Sequence, residues 1–368
     1  MNRSKLPCTN ETIRYGICHG MPICGFCYDY GEYRKPSREY ELYNLIVIGT
    51  ILPIIGLMGL MGNAISGFIY SRKLMRSSMN MYLAALAISD TTIIITAFFL
   101  FFLESLRRRN ATLSKLFAIL SPITFPLGLT AQTLSVYFTI AAALDCFVLV
   151  FASDVIKQRF CTRRTAKWMI SCIIVLASIF NSPHLFEIYV ISCWSIPYSQ
   201  QLFDVCPSAL RQNQAYFTIY YAYLYTIFMA VGPMVLLVVL NTAIIIVMRQ
   251  SYTSAAVNSS NRTDSDVFTL VLVVCLFVTC NILPLTVNFL ELLFDLINTY
   301  LIDLSNLMVV LNSSCNFLIY YAFGSQFRRT LKQYIAHFLG RGRRELVESE
   351  GEILSLRSHT KSTNLSSL

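Results

Sequence analysis

Long apolar runs separated by short polar segments dominate this chain. Seven runs reach about 20 residues, which is long enough for a helix to cross the hydrocarbon core of a bilayer. The alternating pattern of membrane strands is absent, and backbone polar groups in lipid must be satisfied inside a helix or a closed barrel. The pattern therefore predicts an all-α membrane protein, a seven-transmembrane helix bundle over 44–323. Its runs lie at about 44–70, 80–103, 116–150, 167–191, 215–248, 267–295 and 301–323.

The segment 324–340 has a different pattern, because apolar residues there recur every three or four positions. The apolar positions are Phe323, Phe327, Leu331, Ile335 and Phe338, and the basic positions are Arg328, Arg329 and Lys332. This spacing predicts a short amphipathic eighth helix lying on the membrane surface. The flanking segments 1–43 and 341–368 are polar, and they predict an extracellular N-terminus and a flexible cytoplasmic tail.

Charge sets the predicted orientation. Only 13% of the residues are charged, against about 25% in ordinary soluble proteins. Of the 29 Lys and Arg residues, 18 fall in segments on one side of the seven runs, which places that side in the cytoplasm. The protein is thus expected in the plasma membrane, with its basic loops near anionic lipid headgroups and no nucleic-acid partner. The glycosylation sequons Asn2, Asn10 and Asn110 fall outside the cell, although the motif is weak because Asn258 and Asn261 match it inside.

Six of the twelve cysteines fall in segments predicted to be extracellular, where disulfides persist. They are Cys8, Cys18, Cys24, Cys27, Cys193 and Cys206. Six cysteines allow 15 pairings, and the sequence does not choose among them. Cys193 and Cys206 are expected to pair with each other or with the N-terminal cysteines. Structural disulfides are favoured over a metal site, because no second cysteine pair at metal-ligand spacing accompanies Cys24 and Cys27.

Asp90 falls deep inside the second run, where an ionisable residue is costly and suggests a function. Polar residues recur in three other runs, and they are Asn63, Ser135, Asn312, Ser313 and Asn316. Two interpretations remain open. These residues either hydrogen-bond neighbouring helices together, or their oxygens converge on the carboxylate as a site for a hard cation such as Na⁺.

The motifs "GN" at 62–63, "LAISD" at 86–90 and "NSSCNFLIY" at 312–320 resemble those of rhodopsin-like (class A) G-protein-coupled receptors, and the resemblance covers all seven runs. The stretches 126–145, 160–167, 280–291 and 312–329 resemble invertebrate FMRFamide-type neuropeptide receptors. The resemblance implies an extracellular peptide ligand and a heterotrimeric G-protein as partners. It also implies that the polar residues around Asp90 form a sodium-linked activation core, to which Tyr320 belongs. No other cofactor or metal is expected.

The chain departs from this family at the inner end of the third run, where Asp145-Cys146-Phe147 replaces the usual Asp-Arg-Tyr. The resemblance makes Asp145, Cys146 and Asp264 the residues that face the G-protein. Cys146 is expected to face a water-filled cytoplasmic cavity, so that an arginine placed there would fit and restore coupling. Three outcomes remain open: ordinary signalling, a leaky receptor or a poorly coupling decoy. Ser121 stands where most relatives carry a cysteine, so the usual disulfide from the third run is expected to be absent.

Acidic residues near the outer ends of the runs are candidates to bind the guanidinium of an Arg-Phe-amide ligand. Glu291 is the first choice, followed by Glu104 and Asp303, although for any single one of them a solvated helix end is the favoured explanation. Gln132 is a candidate pocket floor, and Tyr220 a candidate aromatic contact. Four scattered histidines offer no catalytic constellation, which argues against an enzyme. A chemosensory receptor for a non-peptide ligand remains the main alternative.

Overall fold

The computed structural model describes residues 17–24, 37–107, 110–196, 198–253, 261–294, 296 and 298–338. Within these residues, seven helices are long and apolar enough to cross a membrane, which confirms the predicted bundle. They are α1 (Arg38–Tyr70), α2 (Ser78–Arg107), α3 (Ala111–Phe151), α4 (Arg163–Phe186), α5 (Gln214–Arg249), α6 (Asn261–Phe294) and α7 (Thr299–Phe323). A further amphipathic helix, α8 (Ser325–Phe338), follows α7.

Polar side chains just before several helices satisfy backbone N–H groups that have no partner inside the helix. Asn110 accepts hydrogen bonds from the backbone N–H groups of Thr112 and Leu113, so that α3 begins about five residues before the predicted apolar run. Ser37 accepts from the Tyr40 N–H group, and α1 begins at Arg38 rather than at 44. Helix ends in this chain are therefore set by capping groups that a count of apolar residues overlooks.

The predicted fourth run, 167–191, is wrong at its far end. Helix α4 ends at Phe186, and Ile188–Ser195 forms strand β3. Pro183 has no N–H group to continue the helical ladder, and the segment after it pairs residue by residue with β4 (Gln200–Pro207) in an antiparallel hairpin. We call the end of the bundle that carries β3 and β4 the hairpin end. The opposite end, which carries α8, is the eighth-helix end.

A short N-terminal segment lies against this hairpin. Its two-residue strands, β1 (Ile17–Cys18) and β2 (Met21–Pro22), pair with each other, and the Cys24 N–H group donates to the Trp194 carbonyl at 3.0 Å. A disulfide joins Cys24 to Cys193, with 4.9 Å between their Cα atoms. The hairpin is therefore fixed both by hydrogen bonds and by a covalent cross-link.

The helices meet in apolar clusters, the largest of which lies toward the eighth-helix end. Phe327 of α8 is buried there, its ring 5.3 Å from that of Tyr70 and 5.7 Å from that of Tyr320. Gln326 donates to the Leu74 carbonyl at 2.9 Å, while Phe338 remains 91% exposed. Helix α8 thus buries one face against the bundle and leaves apolar residues facing outward, as an interfacial helix does.

Candidate functional site

A small cavity of about 40 Å³ opens between α3, α5 and α6. Its wall combines apolar side chains with Tyr225 and three amide side chains, and no charged residue is among the described residues that line it. The lining residues are Gln132, Val136, Tyr225, Met229, Ala230, Met234, Phe277, Asn281, Pro284, Leu285 and Asn288. Gln132, the candidate pocket floor, is one of these lining residues, and its contact with a ligand stays a prediction. Apolar side chains with a few convergent polar groups are typical of ligand sites, but this cavity must widen before it can admit an aromatic ring.

A buried polar cluster lies at the hairpin end and is centred on Glu187, whose side chain is fully buried. Oε1 accepts from His184 Nδ1 at 2.8 Å and from the Tyr216 hydroxyl at 2.6 Å. Oε2 accepts from the Tyr221 hydroxyl at 2.6 Å and from Arg211 Nη1 at 3.3 Å. Burial alone would raise the pKa of the Glu187 carboxyl, but the hydrogen bonds from His184, Tyr216 and Tyr221 outweigh burial and hold the pKa below its usual value.

Both ring nitrogens of His184 face oxygen atoms of this cluster. The Tyr220 hydroxyl donates to the Phe180 carbonyl at 2.7 Å and lies 3.1 Å from His184 Nε2. The other ring nitrogen, Nδ1, faces the Glu187 carboxylate. The ring is therefore fixed at both nitrogens and buried against the carboxylate.

Sequence reasoning did not choose Glu187 as a ligand-binding residue, although it is one of the acidic residues near the outer ends of the apolar runs. The signal was divided between the "HLFE" stretch, 184–187, and the tyrosines at 216, 220 and 221. These lie about 30 positions apart in the chain and meet only because α4 and α5 pack together. Tyr220, predicted to contact the ligand, belongs to this cluster and not to the cavity wall.

The three acidic residues that were predicted from the sequence to bind the ligand lie in three different surroundings in the structure. Glu104 accepts from Arg107 Nη2 at 2.9 Å, and the Arg107 guanidinium lies over the Phe117 ring. Asp303 is buried and accepts from Asn44 Nδ2 at 2.9 Å. Glu291 is exposed near the end of α6. None of the three acids lines the cavity, and their role in ligand binding stays a prediction.

The polar residues predicted around Asp90 meet in the middle of the bundle, where α2, α3 and α7 converge on its carboxylate. Ser135 donates to Oδ1 at 2.8 Å and Asn316 donates to Oδ2 at 2.8 Å. Asn63 of α1 donates to the Ser313 carbonyl at 2.9 Å. Helix-to-helix hydrogen bonding is thus present at this site. Asn312 is also buried, one helical turn from Asn316, and the Tyr320 ring packs on that of Tyr70 nearer the eighth-helix end.

The same site also offers oxygen ligands to a hard cation. Asn63 Oδ1 and Ser313 Oγ are buried without a hydrogen-bond partner among the described residues. Hard cations take oxygen ligands, and a carboxylate with unpartnered amide and hydroxyl oxygens nearby is a suitable set. The residues therefore fit a sodium ion as well as a set of interhelical hydrogen bonds. No group of three or more His, Cys, Asp or Glu side chains suited to another metal occurs in the part of the chain that the structure describes.

The inner end of α3 differs from the expectation. Cys146 is completely buried in the apolar cluster of the eighth-helix end, so the predicted water-filled surroundings are wrong for this conformation. The helices pack closely here because cysteine is small and uncharged. Asp145 accepts from the Ser78 hydroxyl at 2.7 Å and forms no ion pair within the described residues. Asp264 falls in α6, but its side chain lies outside the described residues.

The disulfides narrow the alternatives left open by the sequence. Cys193 pairs with Cys24, so a pair between Cys193 and Cys206 is wrong. Cys18 and Cys206 each take part in a disulfide as well. Cys8 and Cys27 lie outside the described residues. Ser121 donates to the Phe117 carbonyl within its own helix. For the sequons, Asn110 is exposed and caps α3, and Asn2 and Asn10 lie outside the described residues.

Comparisons with known proteins agree with this architecture. Residues 62–320 match the sequence profile of the family described as "7 transmembrane receptor (rhodopsin family)". The chain is 57% identical to the Caenorhabditis elegans protein named "Probable G-protein coupled receptor frpr-1", across 91% of each chain. It is 32% identical to the Drosophila melanogaster "FMRFamide receptor", across 87% of this chain and 59% of that protein. It is 30% identical to the C. elegans "FMRFamide peptide receptor frpr-18", across 76% of this chain and 66% of that protein.

Proposed function

This chain belongs to the rhodopsin family of seven-transmembrane receptors, and we propose that it binds an amidated peptide ending in Arg-Phe at its hairpin end. The bound peptide changes how the helices pack, and a heterotrimeric G-protein reads this change at the eighth-helix end. The two relatives named for FMRFamide support the ligand class.

The chemistry of the cavity carries the proposal. An aromatic ring would pack against Tyr225, Met229 and Phe277, and an uncharged terminal amide could bond with Gln132 or Asn288. A free C-terminal carboxylate would find no cation among the described lining residues. Because burying an unpaired carboxylate is costly, this cavity favours an amidated terminus over an acidic one.

Two features support the orientation of the protein. The Cys24–Cys193 disulfide fixes the hairpin end and requires an oxidising compartment, which lies outside the cell. The predicted excess of basic residues falls at the opposite end. We therefore place the hairpin end outside and the eighth-helix end in the cytoplasm, where Asp145, Cys146 and Asp264 would face the G-protein and α8 would contact lipid headgroups.

The Asp90 site is proposed as the part of the core that reports ligand binding. The oxygens of Asp90, Ser135 and Ser313 would hold a sodium ion, which would supply a positive charge to the buried carboxylate. Asn63, Asn312, Asn316 and Tyr320 connect this site to the neighbouring packing. A decoy receptor remains the second candidate function, because no arginine among the described residues pairs with Asp145 and because Cys146 is buried among apolar side chains.

The test is a matched set of peptides on cells that express the receptor, with G-protein activation and binding both measured. A peptide ending in Arg-Phe-amide should bind and activate, and the same peptide with a free carboxylate should be at least about 30-fold weaker, which corresponds to about 2 kcal/mol for the unpaired charge. The change Gln132→Leu should weaken the amide peptide. The control Leu127→Val, on the exposed surface of the same helix, should not.

Each result separates the candidates. Equal binding of amide and acid would contradict the cavity argument. Peptide binding without G-protein activation would identify a decoy. No response to any peptide, together with a response to non-peptide odorants, would favour the chemosensory alternative.

A further inference from the structure

Of the four groups that donate hydrogen bonds to the Glu187 carboxylate, Arg211 makes the longest contact. The two tyrosine hydroxyls bond at 2.6 Å and the buried His184 at 2.8 Å, whereas Arg211 Nη1 lies 3.3 Å from Oε2. The Arg211 side chain is 41% exposed, and its guanidinium lies 5.5 Å from the centre of the Phe125 ring. Arg211 therefore covers one oxygen of a carboxylate that three firmly held donors already fix in place.

We propose that Glu187 is a guanidinium-binding site that Arg211 covers in the free receptor, and that the arginine of the ligand replaces Arg211 there. This inference rests on the proposed function and assigns the ligand-binding carboxylate to Glu187, instead of Glu291, Glu104 or Asp303.

The exchange is electrostatically balanced. One guanidinium leaves Oε2 as another arrives, so the buried carboxylate is never left without its cation, which is the costly situation for a buried ion pair. Arg211 is already partly exposed, so water can solvate it after it is displaced. The remaining donors, His184, Tyr216 and Tyr221, keep the carboxylate ionised and correctly oriented throughout.

The position of Glu187 suits a peptide whose last ring enters the cavity. Tyr221, which bonds to Glu187, has its ring 6.2 Å from that of Tyr225, which lines the cavity. Along α3, Phe125 beside Arg211 precedes Gln132 in the cavity wall by two helical turns, about 10 Å. Neighbouring Cα atoms of a peptide are about 3.8 Å apart, and the arginine side chain extends this reach. A Phe-amide held at the cavity, once α3, α5 and α6 have separated enough to admit its ring, therefore leaves the preceding arginine able to reach Glu187.

A purely structural role predicts different behaviour. Glu187 also fixes the start of the hairpin, since its carbonyl accepts from the Ser208 N–H group at 2.7 Å. If Arg211 served only this clamp, removing it would weaken the binding of every ligand. If Arg211 competes with the ligand, removing it must strengthen the binding of arginine peptides specifically. The two roles therefore differ in the sign of the effect.

The experiment measures binding of two peptides, one ending in Arg-Phe-amide and one with citrulline, the neutral isostere, in place of arginine. Arg211→Gln should raise the affinity of the arginine peptide about tenfold, as expected if Arg211 occupies the site for about nine-tenths of the time. The citrulline peptide should change less than about twofold. Arg107→Gln is the matched control, because this arginine at the same end pairs with Glu104 and should leave both peptides unchanged.

Glu187→Gln removes the carboxylate itself and should abolish the preference of the receptor for the arginine peptide over the citrulline peptide. If this variant does not reach the cell surface, Arg211→Gln decides alone, since its half-exposed side chain can be shortened without opening the core. Lower or unchanged affinity of the arginine peptide for Arg211→Gln would overturn the inference while leaving the proposed function intact. Failure of the unmodified receptor to bind any Arg-Phe-amide peptide would overturn both.

Discussion

Two carboxylates, one at each end of the bundle, are held in contrasting ways. Glu187 at the hairpin end receives four donors, one of them the cationic Arg211, and lies beside a hairpin anchored by the Cys24–Cys193 disulfide. Asp145 at the eighth-helix end receives one hydroxyl from Ser78 through its side chain and has no cation in the described part of the chain. The hairpin end is thus fixed by several charged and neutral groups, whereas the charged residue at the opposite end, Asp145, is held by the neutral side chains of Ser78 and Cys161.

The difference suggests how the work of the receptor is divided. A ligand site gains affinity when its groups are already in place, because less order must be imposed on binding. A site that faces the G-protein, as proposed for Asp145, must be able to rearrange, and the neutral groups that hold Asp145 are easily exchanged. We infer that Ser78 takes over part of the restraint that an arginine at position 146 would provide, at lower strength.

The sharpest test of this contrast compares Glu187→Gln with Asp145→Asn. The first change leaves His184 and Arg211 without their carboxylate, and breaking a buried pair in this way typically costs about 3–5 kcal/mol of stability. The second change removes one hydrogen bond and strands no cation, so we expect about 1 kcal/mol. Thermal unfolding of the purified receptor, followed with a dye that reacts with the buried free cysteines, gives both values. Equal shifts in melting temperature would contradict the contrast.

The disulfide provides the next largest expected effect. Cys24→Ser should lower the free energy of unfolding by about 2–4 kcal/mol and reduce surface expression, because it releases the N-terminal segment from β3. Cys172→Ser, at a free and partly buried cysteine of α4, is the control and should have little effect. Detection of Cys24 and Cys193 as free thiols in the non-reduced protein would refute the covalent anchor.

Cys146→Arg would place a cation beside Asp145, which forms no ion pair within the described residues. Since Cys146 is completely buried, arginine must force the packing apart, and we expect a net loss of about 1–3 kcal/mol and less receptor at the surface. Cys146→Ala should be close to neutral in stability. If the arginine variant is expressed normally and activates G-protein more strongly than the native chain, the position opens into water during signalling and the decoy reading is wrong.

The smallest expected effect concerns pH. The pKa of Glu187 is lowered in the folded protein, so its contribution to stability is present above the ordinary glutamate pKa of 4.5 and is lost as the pH falls through the folded value below this. The difference in melting temperature between native protein and Glu187→Gln should therefore be constant from about pH 8 to 5.5 and shrink only below about pH 4.5. A difference that vanishes already at pH 6 would mean that Glu187 is not held ionised by His184, Tyr216 and Tyr221.

Sequence reasoning was successful where the signal is local. The seven apolar runs predicted the spans because lipid requires a continuous stretch of helix, and the period of apolar residues after α7 predicted α8. It failed at the end of α4, where 188–191 are apolar enough for a span but pair with 204–207 in a hairpin. Strand pairing depends on a partner elsewhere in the chain, which an apolar count does not include.

The candidate functional residues also fall into a group that the sequence predicts and a group that only the tertiary structure reveals. The sequence determined that Asp90, Ser135 and Asn316 are polar residues inside apolar runs, and their few available partners at that depth made their meeting predictable. Only the tertiary structure decided that Glu187 is bonded to tyrosines of α5, that Cys193 is joined to Cys24, and that Cys146 is buried. The physical reason is that hydrophobic length and period act within one segment. Charge pairing, cross-linking and burial instead depend on which segments pack together, and that is fixed only when the whole bundle has formed.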